Sequence, residues 1–252
     1  MSGESSTAAV LIIGDEILSG RTRDANLGII AEWAGVMGLD LREARMVADD
    51  EDDIVAAVNA LRARYDYLFT TGGIGPTHDD ITADAIGKAF GVPVDHHPEA
   101  VRLLEAYFAE VGREANEARM RMARTPEGAV LIENAVSRAP GFRIGNVFVM
   151  AGIPRVMTAM LESIAKMIEP GRPMLSSSVT VEATEGDIAG PLREIQRQHD
   201  RVMIGCYPRH TDKGFFATIV VRSRDRSTLA AAAADVHALA EALGAGVIEE
   251  ET

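Results

Sequence analysis

Ala8 to Ile13 form an uninterrupted apolar run near the start of the chain. A run of that kind predicts a strand buried on both faces. Gly14 ends it and Asp15-Glu16 follow. In DANLGIIAEWAGVMG, residues Leu27, Ile30, Ala31, Ala34 and Met37 fall at helical spacing, with Asp24 as an N-cap. Leu39 to Val47 reads as a second strand. Asp49 to Asp53 opens a helix whose stripe is Ile54, Val55, Val58 and Leu61, since acids suit a first helical turn. Tyr67 to Thr70 is a third strand, followed by a glycine loop and a helix from Ile81 to Phe90. Helices are predicted at Pro98 to Val111, Asn116 to Arg124 and Pro154 to Ile168. Val130 to Ile132 is a short strand, and Phe142–Ile144 with Val147–Met150 form a hairpin around Gly145-Asn146.

Strands alternating with helices predict an α/β fold, a three-layer αβα sandwich with a mostly parallel sheet. In such sheets ligands bind beyond the carboxyl ends of the strands. Gly14-Asp15-Glu16 and the glycine loop both follow a strand, so they are expected on one rim.

EPGRPMLSSS, Glu169 to Ser178, has the composition of a linker. Beyond it the order is strand (Val179–Ala183), helix (Asp187–His199), two strands (Val202–Tyr207 and Phe215–Arg222) around HTDKG, and an Ala-rich helix (Ser227–Leu243) capped by Asp225. That β-α-β-β-α order predicts a small α+β second domain. The expected division is residues 1–170 and 176–252, with the acidic end a solvated tail.

Composition narrows the function classes. The 252 residues are 47% hydrophobic and 5% aromatic, enough for a substantial aliphatic core. The formal net charge is −13, with arginines scattered, which argues against nucleic acid and against an anionic membrane. The single cysteine, Cys206, reads as a small buried hydrophobe. The amino-terminal stretch lacks the basic region of a signal peptide, and no segment approaches the roughly 20 apolar residues of a membrane span. A cytoplasmic protein is expected.

TTGGIGPTHDD is the stretch richest in chemistry. Gly72, Gly73 and Gly75 permit close backbone approach, and successive amides there can form an anion nest, aided by the dipole of the following helix. No Lys-Ser/Thr follows the glycines, so this is not a P-loop, nor is it GxGxxG. On spacing alone phosphate binding and a purely structural turn stand equal. Asp79 or Asp80 is expected to cap the helix. A carboxylate beside phosphates is consistent with a bridging Mg²⁺ or another divalent cation. Asp15-Glu16 and Asp49 are further candidates, each with a turn or cap as the alternative. Asn26 has two readings, a partner for a base or ribose and a stabiliser of its helix start. His78, His96 and His97 lack metal-site spacing, and His96-His97 reads as a loop before a helix.

GDEILSG, then Asp24-x-Asn26, then TTGGIGPTHDDITADA resemble the molybdopterin-binding domain family, which includes molybdenum-cofactor biosynthesis proteins and the amino-terminal part of the competence/damage-inducible protein CinA. NAVSRAPGF (Asn134 to Phe142) and MAGIP (Met150 to Pro154) resemble the family's later ligand loops, so the likeness covers roughly residues 8–168. IGCYP (Ile204 to Pro208), its hairpin and long helix are similar to the CinA-type middle domain, and eukaryotic FAD synthase carries a related pair. The deamidase domain that ends full-length CinA proteins has no counterpart in these residues, and that activity is not expected.

The resemblance implies a small-molecule partner, a nucleotide or pterin, with phosphates on the glycine loop, and a homo-oligomer. It implies Asp80 and Asp49 as catalytic and metal-holding residues. Its implied substrate contacts are Gly14, Asp15, Glu16, Asn26, Thr71, Gly72, Gly73, Gly75, Pro76, Thr77, Asn134, Pro140, Gly141, Gly152 and Pro154. The implied activity is metal-dependent hydrolysis of ADP-ribose-like pyrophosphates; the alternatives are adenylyl transfer to molybdopterin and a non-catalytic interaction role. Ala151 and Val156 replace the proline and glutamate of the family's usual Leu-Pro-Gly-x-Pro-x-Glu-Met, and Arg121 stands where a lysine is common. Arg keeps that charge with different donor geometry.

Overall fold

The computed structural model describes residues 5–211, 214–243 and 247–251. The chain forms two compact units, Met1–Gly171 and Arg172–Thr252. In the first unit the elements run β1 (Thr7–Ile13), α1 (Asp15–Leu18), α2 (Asn26–Val36), β2 (Asp40–Val47), α3 (Glu51–Arg64), β3 (Tyr67–Thr71), α4 (Thr82–Phe90), β4 (Val94–His96) and α5 (Pro98–Glu110). They continue as α6 (Glu117–Met120), β5 (Arg124–Pro126), β6 (Val130–Ile132), β7 (Gly141–Ile144), β8 (Val147–Met150) and α7 (Pro154–Ile164).

The main sheet has the order β2-β1-β3-β8-β7-β6. The first four strands pair in parallel, and the β8-β7-β6 edge is antiparallel, with the expected hairpin. The alternation of β1 explains the layers. Ala9, Leu11 and Ile13 pack with Ile54, Val58 and Leu61 of α3 and Ile86 of α4. Ala8, Val10 and Ile12 pack with Ile30 and Ala34 of α2 and Met157, Leu161 and Ile164 of α7. Helices thus bury both faces of the apolar Ala8–Ile13 run, the three-layer α/β arrangement expected from its sequence.

Local differences have physical causes. Asn116–Arg124 yields only the one-turn α6 and a 3₁₀ turn over Arg121–Ala123 before β5 begins. The segment before Pro98 is extended rather than a loop, because β4 and β5 pair antiparallel and His97 donates its amide to Ala123 O. Helix α7 stops at Ile164 rather than Ile168. GDEIL contains the single turn α1, too short to show periodicity.

The second unit contains β9 (Leu175–Val181), α8 (Glu185–Gln198), β10 (Met203–Thr211), β11 (Gly214–Ser223), α9 (Arg226–Ala242) and β12 (Val247–Glu251). The sheet order is β10-β11-β9-β12 and every pairing is antiparallel. Asp225 caps α9 by accepting from Thr228 N. The acidic end is not a free tail: its backbone pairs with β9. Alternation failed to show there because a run of glutamates hides the period of a strand. Part of the HTDKG turn lies outside the described residues. Among the described residues no helix is long and apolar enough to cross a membrane.

Candidate active site

At the carboxyl ends of β1, β2, β3 and β8 lies a cleft of about 620 Å³. Its lining includes Gly14, Glu16, Asp49, Gly72, Gly73, Gly75, Pro76, Asp80, Pro140, Gly152 and Pro154. The two motifs expected on one rim therefore share one wall. The cleft also takes in Asp79, read from the sequence as a helix cap, and residues not singled out there: Thr22, Ile74, Met122, Ser137, Ala139, Ile153 and Met160. Ile74, Ser137, Ala139 and Ile153 lie within the loops already picked out by motif, whereas Thr22, Met122 and Met160 are brought in by chain topology alone.

The glycine loop is built by steric exclusion. Gly72 has φ 106°, and a Cβ there would stand 2.0 Å from Ile13 O. Gly73 has φ 67°, and a Cβ would meet Thr82 Oγ1 at 2.1 Å. These positions admit only glycine because both the dihedral and the space forbid a side chain. The amide of Gly72 is already committed, donating to Met150 O at 3.1 Å. Among the described residues the amides of Gly73, Ile74 and Gly75 have no protein acceptor. The uncommitted amides of the loop therefore begin at Gly73, one residue later than the glycine run itself.

Neither Asp79 nor Asp80 caps α4; Ile81 occupies the cap position without a side-chain bond. The helix start is tied to the loop differently. Thr82 N donates to Gly73 O at 3.0 Å and Thr82 Oγ1 to Gly72 O at 3.0 Å. Asp80 instead closes the THDD turn, its Oδ2 accepting from Thr77 N at 2.7 Å and Thr77 Oγ1 at 2.5 Å. Thr77 thus orients Asp80 from an exposed position, and Asp80 Oδ1 is free of this turn.

Asp49 and Asp15 join the ends of β2 and β1. Asp15 N donates to Asp49 Oδ2 at 2.9 Å and Asp49 N to Asp15 Oδ1 at 3.4 Å. Burial, and then the negative charges of Asp15, Glu16 and Asp79, hold the Asp49 carboxyl above the usual carboxylate range, against the opposing bond from the Asp15 amide. Asp50, not Asp49, caps α3, accepting from Asp52 N and Asp53 N at 3.0 Å.

Other expected contacts sit behind the lining. Asn134 is buried and spends its side chain on its own loop: Nδ2 donates to Ser137 Oγ and Ala139 O, and Oδ1 accepts from Val136 N and Ser137 N. It shapes the 134–139 loop rather than facing the cleft. Gly141 is buried in β7, where a Cβ would meet Val149 O at 2.3 Å. Thr71 is buried under Asn26, and Asn26 and Thr71 line a smaller side pocket with Glu16, Thr22 and Gly152. His78 is exposed and lies outside the cleft lining.

A family model described as "Probable molybdopterin binding domain" matches residues 9–171. The chain belongs to this molybdopterin-binding domain family. Its relatives point to the CinA-type branch. A CinA-like protein from Desulfosudis oleivorans is 39% identical over 160 residues, 62% of this chain but 39% of that relative. A Pyrobaculum calidifontis protein is 35% identical over 212 residues, 81% of each chain. The crystal structure of the protein CinA, of unknown function, from Thermoplasma acidophilum superposes with TM-score 0.59 at 30% identity, covering 65% of this chain and 98% of that one. Residues 173–251 match a model described as FAD synthase, middle domain.

Proposed function

We propose that this molybdopterin-binding domain protein is a metal-dependent hydrolase of the pyrophosphate bond in ADP-ribose-like nucleotides. One observation carries the reading: the cleft joins free amides at Gly73, Ile74 and Gly75 to four carboxylates, those of Glu16, Asp49, Asp79 and Asp80, with no lysine or arginine in its lining. A phosphate chain bound there without a cation meets only like charge beyond the amides.

The donor set fits a hard divalent cation. It is all oxygen, and among the described residues no three acidic, His or Cys side chains stand close enough to enclose an ion. Such an open site suits Mg²⁺, which takes one or two carboxylates together with substrate phosphate oxygens. Asp80 and Asp49 would hold it, and it would supply charge neutralisation at the phosphorus. The chain's own residues do the rest. The Gly73–Gly75 amides bind and orient the phosphate oxygens. Asp49, on the same cleft lining, orients the attacking water. Ile153, Val156 and Met160 give the cleft an apolar wall.

Val156 also favours a second reading, binding without turnover. It is buried in the α7 wall, so no carboxylate is offered from the position where the family's glutamate is usual. One assay separates the readings. ADP-ribose is incubated with the protein and Mg²⁺ or Mn²⁺, with and without chelator, and AMP release is followed. Chelator-sensitive release supports the hydrolase. Binding of ADP-ribose with no release supports the second reading. Turnover of molybdopterin with ATP, and none of ADP-ribose, replaces both with adenylyl transfer.

A further inference from the structure

The second unit carries a separate concentration of positive charge. Arg172, Arg201, Arg222 and Arg224 surround a hollow of about 330 Å³, with Met174, Met203, Ser223 and Asp225 completing its walls. The strand register explains the gathering. Along β11, Ala217, Ile219, Val221 and Ser223 are buried, facing the core made with α8 and α9. Arg222 therefore lies on the opposite face of the sheet. Its neighbours across the sheet are Met203 on β10 and Ser176 on β9. Met203 is 54% exposed, an apolar floor beside the guanidinium. Ser223 Oγ donates to the Arg201 carbonyl at 3.2 Å, and Arg224 donates to the Arg172 carbonyl, drawing the remaining arginines to the rim.

In a chain with 38 acidic and 25 basic residues, neutralising partners are plentiful. Yet Arg172, Arg201 and Arg222 form no ion pair among the described residues. The one carboxylate in the wall, Asp225, is engaged in capping α9, accepting from Ser227 Oγ, Thr228 N and Thr228 Oγ1. Gathered like charges repel. Planar guanidinium groups relieve that repulsion best by bidentate bonds to phosphate oxygens.

We propose that this hollow is an anion site that takes the phosphate or diphosphate group of a small molecule, independent of the glycine-loop cleft. The −13 charge of the whole chain disfavours a long polyanion, whereas a compact diphosphate needs only the local field. The group could be free pyrophosphate or part of a nucleotide, and the experiment distinguishes them.

Calorimetry on the full chain, at low ionic strength with chelator present, uses three probes: inorganic pyrophosphate, ADP and a short single-stranded oligonucleotide. The wild type is expected to bind pyrophosphate or ADP, and Arg222→Gln and Arg201→Gln each to weaken that binding at least tenfold with unchanged circular dichroism. ADP much tighter than pyrophosphate assigns a nucleotide; equal affinity assigns the free anion. No binding by the wild type, equal binding by both variants, or arginine-dependent binding that prefers the oligonucleotide overturns the proposal. If Arg222→Gln alters the circular dichroism, Arg222→Lys, which keeps the charge and loses the fork, serves in its place; undiminished binding by that variant is equally adverse.

Discussion

Asn26 Nδ2 donates to Gly152 O at 2.7 Å, joining the start of α2 to the MAGIP loop across 126 residues of sequence. The same amide group reaches Thr71 Oγ1 at 3.4 Å, so one side chain ties together the ends of three segments. Asn26 is 5% exposed and its Oδ1 has no partner. Replacing it with aspartate puts a carboxylate oxygen against the Gly152 carbonyl, and replacing it with alanine leaves that carbonyl unpaired. Losing such a bond costs about 1–3 kcal/mol. Asn26→Asp is expected to lower the melting temperature more than Asn26→Ala, and both to weaken ADP-ribose binding. An Asn26→Asp protein as stable as the wild type contradicts the clamp.

The glycine loop makes a sharper prediction. Gly73→Ala forces a Cβ toward Thr82 Oγ1 at 2.1 Å and imposes a left-handed dihedral on alanine. Strain of that kind costs on the order of 1–3 kcal/mol. The Thr82 hydroxyl must move, which loosens its bond to Gly72 O. Nucleotide affinity should fall at least tenfold. Adding Thr82→Ser, which trims one methyl and keeps the hydroxyl, should not restore it, because the dihedral remains strained. Wild-type affinity in Gly73→Ala removes the amide nest from the mechanism.

Thr77 and Asp80 separate orientation from charge. Asp80→Ala should abolish chelator-sensitive AMP release, since it removes a carboxylate from the cleft. Thr77→Val keeps that charge but deletes the hydroxyl at 2.5 Å, leaving only the amide bond at 2.7 Å to hold Asp80. Activity in Thr77→Val should fall about tenfold, with a higher metal requirement. Full metal-dependent turnover in Asp80→Ala is the result the mechanism cannot survive.

The layers were legible because β1 and the stripe of α3 state their burial in the hydrophobic pattern itself. The rim was legible too: Gly14, Asp49, Gly73 and Asp80 follow strands, and parallel topology sends strand ends to one side. What hydrogen bonds decide was not legible. Nothing in TTGGIG says that Gly72 gives its amide to Met150, or in NAVSRAPGF that Asn134 spends itself on its own loop. The pairing of β12 was hidden for another reason: strand formation there comes from the open edge of β9, not from its own glutamate-rich sequence.

Acid should expose the contribution of Asp66. Its Oδ2 accepts from Thr7 N at 2.7 Å and from Thr7 Oγ1 at 2.8 Å, and these bonds lower its pKa below the usual value. A group depressed in the folded state contributes its full stability above the unfolded value, about 3.9 for aspartate, and loses it as pH falls through the folded value. Asp66→Asn should therefore melt below the wild type at pH 6, and the gap should narrow as the pH drops below about 4. A gap that stays constant to pH 3 would show that the bonds do not favour the charged form.

Phe148 offers a test of the core that the single tryptophan can report. It is fully buried on β8, with its ring 5.4 Å from Phe69 and 6.0 Å from Tyr67, while Trp33 meets Phe69 edge-on at 5.3 Å. Removing a buried phenylalanine costs about 3–5 kcal/mol, part transfer and part unfilled cavity. Trp33 lies in the first unit, so its fluorescence follows that unit during urea unfolding. Phe148→Ala should move the fluorescence midpoint to markedly lower urea with little change in slope. Val221→Ala, in the separate core of the second unit, should leave the fluorescence midpoint nearly unchanged if the units unfold independently. Equal shifts from both substitutions would mean that the two cores melt as one cooperative body, and the stability of the cleft would then depend on the core of the second unit as well.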